Sequence, residues 1–166
     1  INGFFLTHPN KNYLSLDGGA HIRIPDSPAL QLSNGSFSVE FWLKRHHLDY
    51  TIWIISKYDS AQNYWYITLT KNNDLTFKSE IGNVENQIAC QIDDDDSGNF
   101  NWGDIGVWHH YVFTAERETA DPSSKLIWYI DGVAFDGTYE LRTNTTTSID
   151  VDGAIGIGSQ SPDSIS

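Results

Sequence analysis

Apolar side chains recur at every second position along most of this chain, and that period admits few folds. In Ser36–Lys44, Phe37, Val39, Phe41 and Leu43 fall on one side of an extended strand while Ser38, Glu40, Trp42 and Lys44 fall on the other. No window carries the i, i+3, i+4, i+7 stripe of an amphipathic helix. Turn chemistry punctuates the strands. The segment Tyr64–Ile81 reads as two strands joined at Asn72-Asn73-Asp74, residue types that tolerate a left-handed backbone. Leu126–Phe135 reads as a second hairpin about Asp131-Gly132, a pair suited to the type I′ turn because both its central residues need positive φ. Further strands are expected at Tyr13–Leu16, His21–Ile24, Thr51–Lys57, Glu85–Ile92, Val107–Thr114 and Ile149–Ile157. Short strands so punctuated predict an all-β, two-sheet antiparallel sandwich, since an α/β plan would require helices between strands.

Two runs, Val107–Thr114 and Leu126–Ile130, are apolar or aromatic at both parities. Such strands are central ones, with core on one face and loops or a neighbouring surface on the other. Trp108 and Trp128 in these runs, and Trp42 in Ser36–Lys44, lie in strands and are expected to pack. No linker, repeat or low-complexity tract divides the 166 residues, so residues 1–166 are read as a single domain.

Charge narrows the partners. With 10 Lys and Arg against 22 Asp and Glu, the net charge of -12 opposes nucleic acid and anionic lipid, both of which are bound through clustered cations. Divalent cations and neutral ligands such as sugars suit that field. No apolar run is long enough to insert in a membrane as a helix. Cys90 is the single cysteine, which excludes an intrachain disulfide. The absence of Met predicts a processed product or a piece of a longer polypeptide or assembly.

The sharpest local pattern is Cys90–Asp104. Counted from Asp93, position 3 is Asp95, position 5 is Ser97, position 6 is Gly98 and position 12 is Asp104, the spacing of an EF-hand-type calcium loop. Alternate oxygens on a tight Gly-containing turn suit Ca2+. The flanks read as strands and position 12 lacks the longer Glu, so a solvated acidic hairpin loop is the competing reading. The adjacent histidines do not make a metal site, because His109 and His110 point to opposite faces of a strand.

The sequence Trp108-His109-His110-Tyr111-Val112-Phe113-Thr114, followed by Leu126-Ile127-Trp128-Tyr129-Ile130-Asp131-Gly132, resembles the laminin G-like and pentraxin-like branch of the concanavalin A-like lectin/glucanase superfamily. The segments Tyr13–Leu30, Ser36–Lys44 and Trp53–Asp59 resemble the opening strands of that family, and the likeness spans about Tyr13 to Ser159. The resemblance implies a concanavalin A-like jelly roll, work outside cells or on particle surfaces, and binding to glycans or proteins. It also implies a rim calcium to which Asp17, in its Asp-Gly turn, would contribute, although an ordinary turn explains that residue equally well. The family pattern continues past Ala154–Ser159 with one more strand than is found before Ser166.

Superfamily glucanases present two carboxylates from one strand across the scissile bond. No such pair stands here: Glu40 is isolated, and Glu116 and Glu118 lie in a polar excursion. The expectation is therefore no enzyme but a lectin-like binding or adhesion module, calcium-dependent if the acidic loop holds an ion. The alternative is a structural decoration or tail-fibre component of a virus particle or other extracellular assembly. Aromatics near loops, Tyr58, Tyr64, Trp65, Phe100 and Trp102, are the candidate sugar-stacking rings.

Overall fold

The computed structural model describes residues 14–16, 20–32, 35–47, 49–60, 63–71, 74–82, 84–91, 105–116, 125–135 and 150–159. These form the strands β1 (Ile22–Ile24), β2 (Phe37–Lys44), β3 (Ile52–Ser60), β4 (Asn63–Leu69), β5 (Asp74–Ile81), β6 (Val84–Gln91), β7 (Trp108–Glu116), β8 (Lys125–Ile130), β9 (Val133–Phe135) and β10 (Ala154–Ile157). A 3-10 turn at Pro28–Leu30 is the one helical element among the described residues.

Every strand pair is antiparallel, and the strands form a six-stranded sheet, β1-β10-β3-β4-β5-β6, and a four-stranded sheet, β2-β7-β8-β9. Their inner faces meet in one core. Phe77 of the larger sheet stacks on Phe113 of the smaller at 4.6 Å, and Phe113 leans on Trp128 at 4.8 Å. Phe37 touches both phenylalanines, at 6.0 and 5.9 Å. The alternation in β2 works as expected, with Phe41 in the core and Phe37, Val39 and Leu43 packed against it. The β8–β9 hairpin turns through Asp131 and Gly132 at φ 50° and 82°, as a type I′ turn demands.

Two strand expectations and one packing expectation need correction. Leu14–Leu16 is not a strand; Leu16 instead packs against the core, its side chain filling the space beside Gly158. The strand expected from Ile149 begins only at Ala154, because the Val151 N–H is taken by the Gln31 side chain (3.2 Å) rather than by a ladder. Of the three tryptophans expected to pack, Trp128 is 1% exposed. Trp42 and Trp108 are only half-buried. Both lie on the outward face of the smaller sheet, since alternation places them out of phase with Phe41 and Phe113.

Two buried cations brace the frame. Arg45, just past β2, donates from Nε to His47 O at 2.7 Å and from Nη2 to Thr70 O at 3.1 Å, tying the end of the smaller sheet to the β4–β5 connection. Burial pulls its pKa down against the pull of Tyr111 and Asp49, while burial pushes the Tyr111 phenol up to about 12. Lys57 is the second, on the inner side of β3.

Candidate functional site

The outward face of the larger sheet is built by the pairing of β3 with β4. Trp65, Ile67 and Leu69 share one parity and point inward, so Tyr64, Tyr66 and Thr68 point outward. On β3 the register opposes Tyr58 to Tyr64 and Ser56 to Tyr66, then shifts between Trp53 and Ile55 so that Trp53 opposes Thr68. Residues 53 and 58 differ in parity, and this β-bulge is what brings both to the outer face.

The result is a continuous row of four rings. Trp53 meets Tyr66 edge-on at 4.6 Å, Tyr66 stacks on Tyr64 at 5.7 Å, and Tyr64 stacks on Tyr58 at 5.2 Å with planes only 6° apart. Neighbouring β5 supplies the polar groups. The Tyr64 hydroxyl donates to Glu80 Oε2 at 2.6 Å, and Lys78 Nζ lies 6.0 Å from the Tyr64 ring centroid. Tyr64 is buried beneath its neighbours, whereas Trp53, Tyr58 and Tyr66 are half-buried. An apolar wall of three near-parallel tyrosine rings and an edge-on indole, flanked by a carboxylate and an ammonium, can stack a flat apolar face and fix hydroxyls at its rim.

Residues 16–164 match the family model described as the concanavalin A-like lectin/glucanases superfamily. The chain belongs to that superfamily. No curated protein sequence matches it. Among solved structures it is similar to the mouse laminin alpha1 chain, domains LG4-5, with a TM-score of 0.58 at 13% identity, over 98% of this chain and 41% of that one. It is also similar to botulinum neurotoxin type C, whose cell entry is dependent upon interaction with two ganglioside molecules, with a TM-score of 0.50 at 20% identity, over 80% of this chain and 29% of that one. This superfamily member therefore spans less than half the length of either.

Tyr58 and Tyr64 stand together on the outer face. Trp65 does not join them: it is 2% exposed, in the core, 6.4 Å from Phe77, because it is one residue out of phase with Tyr64. Trp102, Phe100, Asp93, Asp95, Asp104 and Asp17 lie outside the described residues. Among the described residues, no group of three His, Cys, Asp or Glu is placed to hold a metal ion. His109 and His110 do point apart, His109 Nδ1 lying 2.7 Å from Asp131 Oδ2 and His110 Nε2 lying 2.8 Å from Glu40 Oε1. Trp53 and Tyr66 were missed as ring partners. Tyr66 shares the parity of Tyr64 and was visible on that ground; Trp53 needed the bulge.

Proposed function

We propose that this superfamily member is a non-catalytic, lectin-like module that binds glycans outside cells through the outer face of its larger sheet. The Trp53–Tyr66–Tyr64–Tyr58 row is the observation that carries the reading. Pyranose rings have apolar C–H faces that stack on such rings, while Glu80 and Lys78 are placed to meet hydroxyls. The ganglioside dependence of the similar neurotoxin is in keeping with it. Absence of catalysis is supported by the fate of the carboxylates: Glu40 meets His110 on one sheet and Glu80 meets Tyr64 on the other. On β2 Glu40 is the only carboxylate, and on β5 the other one, Asp74, stands six residues from Glu80, about 20 Å along an extended strand and beyond the separation that hydrolysis of a glycoside requires.

A broad glycan array followed by titration calorimetry tests the reading. Selective binding is expected, weakened roughly tenfold, about 1.4 kcal/mol, by Tyr58→Ala or Tyr66→Ala. Silence across the array, or affinity untouched by both substitutions in variants with native circular dichroism, overturns it.

A further inference from the structure

The outward face of the four-stranded sheet carries a second constellation, with the core between it and the tyrosine row. Alternation along β2 sends Glu40, Trp42 and Lys44 outward, opposite Val112, His110 and Trp108 of β7. The Trp42 ring lies nearly parallel to the His110 imidazole, with centroids 4.9 Å apart and planes at 23°. His110 Nε2 in turn sits 2.8 Å from Glu40 Oε1. The stack orients the imidazole, and the imidazole holds the carboxylate beside the indole. The Glu40 and His110 side chains remain 44% and 26% exposed. One step along the strands, Lys44 Nζ lies 5.8 Å from the centroid of Trp108.

That last contact is an ammonium held over an indole within the chain itself. Cations sit favourably over indole faces, and a carboxylate alongside adds a counter-charge. Lys44 meets its indole at the Trp108 end, while the acid stands at the Trp42 end. The net charge of -12 attracts basic partners over a distance and repels acidic ones.

We propose that the Glu40–Trp42–His110 face docks a basic peptide segment of a partner protein, with one Lys or Arg side chain paired to Glu40 and lying along the Trp42 indole. This surface is separate from the glycan-binding row and does not depend on that reading.

The test is a titration of the 15N-labelled chain with an acetylated Arg-Gly-Lys-Gly-Arg peptide at about 0.15 M salt, where long-range attraction is screened. Indole N–H signals assigned through Trp42→Phe and Trp108→Phe report the site. Saturable shifts at Trp42 are expected. Glu40→Gln should weaken binding at least fivefold, while Asp59→Asn, an equal change in charge at an exposed position, should leave it unaltered. Trp42→Phe keeps an aromatic ring in place and should weaken binding about threefold, which guards against a Glu40→Gln variant that misfolds. Equal weakening by Glu40→Gln and Asp59→Asn would reduce the effect to bulk charge and overturn the proposal. So would peptide shifts confined to the Tyr58–Tyr66 face, or a neutral oligosaccharide that saturates the Trp42 signal where the peptide does not.

Discussion

Lys57 Nζ lies 2.8 Å from Asp26 Oδ1, the lysine side chain fully buried and the aspartate 35% exposed. The ammonium also donates to Leu30 O at 3.3 Å and to Gln31 Oε1 at 3.1 Å. Gln31 reaches on to Asp152 Oδ1 at 3.2 Å and accepts from Val151 N. One buried cation thus gathers the 3-10 turn, β3 and the approach to β10. It stands inward because it shares the parity of Ile55, so the sheet's own alternation forces a charge into the core and the surrounding acceptors stabilise it there.

Removing the carboxylate should cost more than removing the buried ammonium. Asp26→Asn leaves the Lys57 ammonium with neutral acceptors alone and is expected to destabilise by on the order of 2–4 kcal/mol, the partial exposure of Asp26 keeping it below the full cost for a buried ion. Lys57→Met, which removes the buried charge itself, should cost less. Urea midpoints at constant m-value decide the order, and a larger loss for Lys57→Met contradicts this account.

Acid should act through the same carboxylate. The hydrogen bond from Lys57, opposed by partial burial, holds the Asp26 pKa below its ordinary value. At Asp131 burial pushes upward, but hydrogen bonds from His109 and the His110 N–H outweigh it and the pKa is again lowered. Folded values below the unfolded ones mean the stabilisation is full above about pH 4 and is lost as pH falls through the folded values. Melting temperature should therefore be level above about pH 5 and drop below about pH 4. The gap between the native chain and Asp26→Asn should close over the same acidic range; a constant gap down to the lowest pH refutes the assignment.

Gly153 is expected to be intolerant of any side chain. A Cβ there would run into the backbone carbonyl of Tyr58, so β10 would have to leave β3. Gly153→Ala should cost about 2–3 kcal/mol by denaturant unfolding. Because Tyr58 sits at the end of the ring row, the same substitution should also weaken glycan affinity. Unchanged stability would show that the two strands can separate freely.

Calcium is expected to raise the melting temperature. At a hundredfold excess over its dissociation constant a bound ion stabilises by about 2.7 kcal/mol. The acidic spacing of Asp93, Asp95 and Asp104 motivates the expectation, and the double variant Asp93→Ala, Asp95→Ala should abolish the rise. A melting curve indifferent to calcium and to chelator sinks it.

Much of the fold was legible because its causes are local. Phe37, Val39, Phe41 and Leu43 declared an inner face through spacing alone, and Asp131-Gly132 declared a turn through the backbone angles those residues accept. The candidate site was half-legible. Tyr58 and Tyr64 were named, but so was Trp65, which the core takes. In Tyr64-Trp65-Tyr66 both parities are aromatic, so the pattern carries no phase. Trp42 and Trp108 posed the same ambiguity and resolved outward.

The sequence by itself determined an antiparallel two-sheet sandwich, since side-chain period and turn conformation act within a few residues, and its motifs carried the likeness to the concanavalin A-like superfamily. Only the tertiary structure decided which rings face outward and which charges lie inside. Register is set between segments far apart in the chain, by the Tyr58–Tyr64 pairing and the shift between Trp53 and Ile55, and a one-residue change in either would exchange the two faces of the sheet.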